Sequence, residues 1–255
     1  MKAERYVGLA LCRNAIVCLL VFGLPIGWAG AQERPKGLGA TAKAGVDHPD
    51  HRAEGCRIIF VGFVGALDPP WDKYSGVVQL RDTLKQAQFR DVCARTYSPF
   101  VWRLARNWAL KQYPAHRGEP DPTVPGPQVI VVGHSLGGWM ALRFARALRK
   151  HNIPVELTVQ VDSVGITDHT IPRNVKEGAI FYADDAFSFL TTKNVRLEDP
   201  SRTRLVEDVH VDHAGHLSVT RDPRIRELVI RTIEELEGME RETHEGGRRS
   251  GRDDR

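Results

Sequence analysis

Gly133-His134-Ser135-Leu136-Gly137-Gly138 is a tight-turn sequence between two segments of regular structure. Residues 128–132 before it are largely apolar and β-branched, which predicts a buried strand. Residues 139–149 after it carry apolar side chains at helical spacing. The pattern therefore predicts a strand, a Gly-x-Ser-x-Gly turn and a helix.

The residue types at this turn favour Ser135 as a nucleophile. A serine on a sharp strand-to-helix turn is held in a strained backbone conformation above the sheet. Gly133 and Gly137 lack a Cβ, so the chain on either side of the turn can approach closely. The N-terminus of the following helix directs amide hydrogens and partial positive charge at the serine.

Strand and helix patterns alternate over residues 56–237. This alternation predicts an α/β fold, a mostly parallel sheet with helices on both faces. No segment is long enough for a large cap, so we expect a single domain. The strands are predicted at 57–63, 91–97, 128–132, 155–161, 178–183 and 204–211, and the helices at 75–89, 100–112, 139–149 and 223–237.

The two ends of the chain differ from this core. Residues 1–31 begin with basic residues, continue into an apolar run and end in Ala29-Gly30-Ala31, which predicts a signal peptide cleaved after Ala31. The apolar run is short for a membrane span of about 20 residues, so we expect no stable membrane insertion after cleavage. Residues 32–55 are predicted to be a flexible linker and 238–255 a disordered charged tail.

The net charge of the chain gives no support for an anionic partner. The formal net charge is +4, and residues 1–31 carry +2 of it. The remaining charge is too small to argue for nucleic acid or for an acidic membrane surface. The sequence leaves the oligomeric state open.

Two cysteines, Cys56 and Cys93, follow the predicted signal peptide. Each stands at or near the start of a predicted strand. If those strands are neighbours in a parallel sheet, the thiols come within disulfide range, and an oxidising compartment permits the bond. A reduced, buried pair remains open.

A serine nucleophile needs a histidine base and a carboxylate that orients it. Such groups gather beyond the carboxyl ends of the strands. Asp162 directly follows the strand at 155–161 and is the favoured acid. Asp184 and Asp185 follow the next strand and are the alternative.

The base is expected in the loop between the last strand and the last helix. That loop contains His216, which follows a glycine and lies nearest the helix, and His213 is the alternative. His210 completes a three-residue spacing that also suggests a metal site. This spacing places ligands on one face only in a helix, and the valines here argue against one, so we expect no metal site.

Two backbone amides should stabilise the negative charge that develops on the substrate oxygen. Leu136, the residue after the nucleophile, is expected to supply one of them. The loop after the first strand should supply the other, and Phe63 is favoured over Val64.

The chain resembles the α/β-hydrolases, and is most similar to the small secreted lipase and thioesterase-like branches that share Gly-His-Ser-Leu-Gly-Gly. The resemblance implies hydrolysis of a small-molecule ester or acyl substrate without a cofactor. Lipid, short ester, thioester and polyester substrates all remain open. The alternatives are a non-catalytic member of the fold that uses the pocket for binding and, less favoured, a metal-dependent hydrolase.

The N-terminal pattern makes a testable prediction about export. Because the signal sequence should be removed after Ala31, we expect the secreted or periplasmic protein to begin at Gln32. N-terminal sequencing of protein from the extracytoplasmic fraction checks this. Membrane-bound protein that still carries Met1 would contradict it.

Overall fold

A six-stranded parallel sheet forms the centre of the protein. The computed structural model describes residues 56–86, 89, 91–113, 126–165, 168–184 and 191–250. The sheet has the order β2-β1-β3-β4-β6-β8, and every neighbouring pair is parallel. Its strands are β1 (Ile58–Phe63), β2 (Val92–Tyr97), β3 (Gln128–His134), β4 (Val155–Val161), β6 (Val175–Tyr182) and β8 (Arg204–His210).

The central strands are buried on both faces. Every residue of β1 is buried, as are all but the first residue of β3 and all but the second residue of β4. Continuous apolar sequence is typical of a parallel strand covered on both sides. The structure therefore confirms the α/β fold predicted from the alternating pattern.

Two pairs of helices cover the two faces. Helices α1 and α4 pack with one face of the sheet in one apolar cluster. Helices α2 and α3 pack with the other face in a second cluster. Their bounds are α1 (Gly76–Leu84), α2 (Trp102–Gln112), α3 (Leu136–Arg149) and α4 (Pro223–Ser250).

The order of the strands reverses between β1 and β3. The chain passes from β1 to β2 on one side, then returns across β1 to place β3 on the other side. Ligands of open α/β sheets bind at such a reversal, beyond the carboxyl ends of the strands. In this sheet the reversal lies directly below Ser135.

A second, small sheet joins two loops. It pairs β5 (Thr170–Ile171) with β7 (Arg196–Leu197) in parallel. The sequence did not predict these strands because two-residue strands carry no periodicity. The described connections contain no further domain over the main sheet.

Helix α4 is longer than the sequence predicts. It begins at Pro223 as expected but continues to Ser250, whereas the pattern predicted a disordered tail from residue 238. The sequence of this segment contains several Glu and Arg residues, which are good helix formers. Within the described part of the chain, no helix is both long and apolar enough to cross a membrane. The predicted signal peptide at 1–31, the linker at 32–55 and residues 251–255 lie outside the described residues.

A disulfide joins the first two strands at their N-terminal ends. Cys56 and Cys93 are bonded, with 5.6 Å between their Cα atoms. Their strands are neighbours in register, with Ile59 opposite Cys93. The structure thus resolves the alternative that the sequence left open in favour of the bonded pair.

This disulfide should contribute measurably to stability. It closes a loop with a sequence separation of 37 residues, which restricts the unfolded chain. Replacing both Cys56 and Cys93 by Ser should therefore lower the free energy of unfolding by about 4 kcal/mol. Urea unfolding with and without reductant measures this: reductant should destabilise the wild type and leave the double variant unchanged. Equal stability of the two proteins without reductant would contradict the prediction.

Candidate active site

Ser135 occupies the turn between β3 and α3 in a strained conformation. Its φ is 56° and its ψ is −125°, a region that non-glycine residues seldom adopt. The Ser135 amide donates to the Val161 carbonyl at 3.0 Å. Its own carbonyl accepts from Gly138 and from Val164, each at 3.0 Å. These three bonds hold the strained residue in place against β4.

Two glycines allow this turn to close. A Cβ on Gly133 would overlap the Gly137 carbonyl, and a Cβ on Gly137 would overlap the carbonyl oxygens of Phe63 and Val64. The start of α3 therefore packs directly against the carboxyl end of β1. This contact brings the turn and the β1 loop together at the strand reversal.

Asp162 and His216 meet at the same edge of the sheet. The His216 Nδ1 lies 2.6 Å from the Asp162 Oδ2. Asp162 follows β4 and is fully buried, with a positive φ of 44°. Its other oxygen accepts from the Ala183 amide at 3.3 Å. Because a carboxylate only accepts, His216 donates through Nδ1, and its Nε2 is the nitrogen that can take a proton.

The alternative acid and base lie elsewhere. Asp184 forms an ion pair with Lys193, and the His210 Nε2 lies 3.0 Å from its carboxylate. The bond from Lys193 lowers the pKa of Asp184. His213 is exposed, with a positive φ of 60°. The structure thus brings His216 to Asp162, and Asp185 lies outside the described residues.

A second histidine supports the first. The buried His134 lies against His216, with 4.7 Å between the ring centroids. Its Nε2 donates to the His216 carbonyl at 2.7 Å, and its Nδ1 lies 3.6 Å from the Asp68 carboxylate. The neighbouring His134 imidazole lowers the pKa of Asp68. The sequence pattern gives no sign of either contact, although His134 stands inside the turn motif.

The amides predicted to face the substrate oxygen occupy different places. Leu136 is the first residue of α3, where its N–H has no partner within the helix. Phe63 is the last residue of β1 and lies opposite both Tyr97 of β2 and Gly133 of β3, and its part in stabilising the substrate oxygen stays a prediction. The Val64 amide donates to the Tyr97 carbonyl at 3.1 Å. The next amide, that of Gly65, donates to Asp68 at 3.2 Å.

The histidine-rich loop does not form a metal centre among the described residues. No group of three or more His, Cys, Asp or Glu side chains there is arranged to hold a metal ion. His210 lies between two carboxylates instead, with its Nδ1 3.0 Å from Asp212. The site is therefore defined by the serine, the buried carboxylate and His216.

These features define the α/β-hydrolase fold. Its marks are a parallel sheet, a serine elbow between strand and helix, and an acid and a histidine that follow the serine in the chain. In this chain the serine of the turn is Ser135 after β3, and it is followed by Asp162 after β4 and by His216 after β8.

No family model matches this chain, and no curated protein matches its sequence. Among solved structures it is similar to Est1E from Butyrivibrio proteoclasticus, with 12% identity, a TM-score of 0.37, and coverage of 73% of this chain and 92% of that one. It is also similar to YbtT, a type II thioesterase from the yersiniabactin pathway, with 10% identity, a TM-score of 0.40, and coverage of 71% of this chain and 95% of that one. A third similar structure is RedJ, a thioesterase from the prodiginine pathway in Streptomyces coelicolor, with 10% identity, a TM-score of 0.39, and coverage of 69% of this chain and 86% of that one. At these identities and TM-scores the likeness carries no argument about activity.

The geometry makes a prediction about the acid. Asp162→Asn should lower the rate at which a fluorophosphonate labels Ser135 by about 10⁴-fold, because an amide no longer holds His216 in the required tautomer. Asp184→Asn is the matched control and should label at the wild-type rate, since its partners are Lys193 and His210. Mass spectrometry of the labelled serine measures both rates. Slow labelling of the Asp184 variant alone would move the acid to β6.

Proposed function

We propose that the protein is a serine hydrolase that cleaves carboxylic ester or thioester bonds through an acyl-enzyme on Ser135. The observation that carries this proposal is the 2.6 Å bond between His216 and the buried Asp162. It lies at the edge of the sheet where Ser135 stands in a strained turn. A carboxylate that orients a histidine beside an elbow serine is the arrangement needed for acyl transfer.

The reaction follows from the roles of these groups. The Ser135 oxygen attacks the acyl carbon while His216 takes the hydroxyl proton on Nε2. His216 then gives that proton to the leaving alcohol or thiol as the acyl-enzyme forms. Water attacks the acyl-enzyme in the second half, again losing its proton to His216, which returns it to Ser135 as the acid departs. Asp162 stays ionised and stabilises the imidazolium in both halves.

The N-terminus of α3 supplies charge stabilisation. The Leu136 N–H begins the helix beside Ser135, where the helix dipole is positive. An amide at this place stabilises the transition state more than the bound substrate, because the substrate oxygen becomes negatively charged only in the transition state. Gly137 seats this helix start against the end of β1, because no side chain separates them.

We also propose that the protein acts outside the cytoplasm, as a secreted or periplasmic enzyme. The N-terminal sequence carries the features of a signal peptide, and the bond between Cys56 and Cys93 supports the same compartment. Disulfides form and persist in oxidising environments and are rare in the cytosol.

Loss of the nucleophile tests the proposed chemistry. Ser135→Ala should lower hydrolysis of p-nitrophenyl esters by about 10⁴–10⁶-fold with the fold intact, because no acyl-enzyme can form. Ser201→Ala, which removes an exposed serine outside the site, is the control and should keep full activity. Turnover is measured on esters of increasing chain length and on an acyl thioester.

Two results would contradict this function. Unchanged turnover by the folded Ser135→Ala variant would show that another group carries the reaction. A wild-type protein that binds the esters but neither cleaves them nor reacts with a fluorophosphonate would be a binding protein instead.

A further inference from the structure

Exposed apolar side chains are concentrated at one edge of the sheet. The described residues expose eight large apolar side chains, and Leu205 on β8 is the only one of them outside the loops around the site. Leu217 directly follows His216. The other six lie in the loop after β1, in the 3-10 turn before α2 or in the first turn of α2: Leu67, Trp71, Tyr74, Phe100, Val101 and Leu104.

Contacts link these loops to one another. The hydroxyl of Thr96, near the end of β2, donates to the Pro70 carbonyl at 2.6 Å, which joins the β1 loop to the strand that leads into α2. His134 lies between Asp68 and the His216 carbonyl, so Leu67 and Leu217 flank a shared contact. We call the loop 64–75, the segment 98–106 and Leu217 the docking edge.

The helices behind the docking edge are strongly basic. Helices α2 and α3 together contain no acidic residue and six basic ones: Arg103, Arg106, Lys111, Arg143, Arg146 and Arg149. Trp102 has three of these guanidinium groups near its ring, at 5.3 Å for Arg103, 5.8 Å for Arg106 and 5.7 Å for Arg143. Basic and aromatic groups are therefore interleaved beside the exposed apolar residues.

The cations nearest the docking edge have no anionic partner. Among the described residues, Arg103, Arg106 and Arg143 form no ion pair, while Arg146 and Arg149 farther along α3 pair with carboxylates. The β1 loop itself contains two acids and one base, Lys73, and the acids accept from backbone amides of the same loop. Asp68 accepts from the Gly65 amide and Asp72 from the Tyr74 amide.

This combination fits one kind of partner. Isolated exposed apolar residues are ordinary, but a contiguous group of them marks an interaction surface. Large apolar side chains that enter the acyl boundary, with arginines at headgroup level, are typical of proteins that lie on an anionic bilayer. Unpaired arginines lose no internal ion pair when they meet lipid phosphates. The charge pattern of the docking edge is thus complementary to an anionic lipid surface.

We propose that the docking edge binds peripherally to a bilayer that contains anionic lipids. Leu217 and Leu67 flank the residues that hold His216, so this binding places Ser135 against the lipid surface. Under the proposed hydrolase function, which this second step presumes, the substrates are then acyl esters presented at that surface. Peripheral binding requires no membrane-spanning segment.

The full chain carrying Ser135→Ala tests docking without turnover. It is incubated with vesicles of phosphatidylcholine alone or of phosphatidylcholine with phosphatidylglycerol, and the bound fraction is measured by flotation. Binding should be strong only with phosphatidylglycerol and should weaken as salt is raised, because salt screens exposed charges. A DNA duplex is added as a soluble anionic competitor.

Charge variants in the same background locate the surface. Arg103→Gln with Arg106→Gln should weaken binding to anionic vesicles by about 25-fold, since each Lys or Arg near such a surface contributes about fivefold. Lys150→Gln with Arg226→Gln is the matched control. It removes the same charge from exposed positions at the end of α3 and on α4 and should bind as before.

Variants of the exposed apolar residues test whether these side chains contribute to membrane binding. Phe100→Ser with Leu104→Ser should weaken binding by about tenfold or more, because both side chains would otherwise leave water. Leu205→Ser, at the exposed apolar residue away from the docking edge, is the control. All variants share one N-terminal segment, so any contribution of that segment is the same in each. Thermal unfolding verifies that each is folded.

The outcomes separate docking from catalysis. Equal binding to both vesicle types, no binding to either, or equal losses in the test and control variants would overturn the docking proposal. If the DNA duplex displaces the protein from anionic vesicles at a nucleotide concentration below that of the phosphatidylglycerol, the surface would be assigned to nucleic acid instead. If instead the wild-type protein binds vesicles but cleaves no ester, the proposed hydrolase function fails while the docking proposal stands.

Discussion

The hydrogen bond between His216 and Asp162 is the interaction on which the site depends. It joins the end of β4 to the loop before α4, two parts of the chain that are 54 residues apart. The carboxylate is fully buried, and an unpaired charge there would be costly. The imidazole and the Ala183 amide both donate to it, and Ala183 follows β6. The order β4-β6-β8 places these donors around the acid.

His134 connects this bond to the β1 loop. Its Nε2 holds the backbone of His216, and its Nδ1 faces the Asp68 carboxylate that accepts from Gly65. His216 and the loop after β1 are therefore positioned by one buried ring. Leu136 begins α3 only two residues after His134, so the helix N-terminus is held by the same segment. The geometry of the site thus rests on a few contacts between loops at one edge of the sheet.

Features that depend on neighbouring residues could be predicted from the sequence. The turn at Ser135, the strand before it and the helix after it are local patterns, and the structure places each as predicted. Asp162 and His216 followed from topology, because the carboxyl ends of parallel strands share an edge. The strand order alone was enough to predict that these two side chains lie close together, and their polar atoms are 2.6 Å apart.

Features that depend on register or on distant contacts could not be predicted. The pairing of Phe63 with both Tyr97 and Gly133 depends on the register of β1 with its two neighbours. The role of Asp68 depends on a fold of its loop that brings it to His134, 66 residues away in the chain. The extension of α4 to Ser250 involves charged sequence with no apolar stripe to signal it.

Charge shows the same difference between composition and position. A small net charge argued against an anionic partner, since it averages over the whole chain. The fold, however, separates the charges, because every charged residue of α2 and α3 is basic. The two arginines with carboxylate partners, Arg146 and Arg149, lie farthest along α3. The unpaired arginines remain beside the exposed side chains of the β1 loop and of α2. A surface potential depends on local charge within about 10 Å at moderate salt, so the net charge of the chain does not determine what this edge attracts.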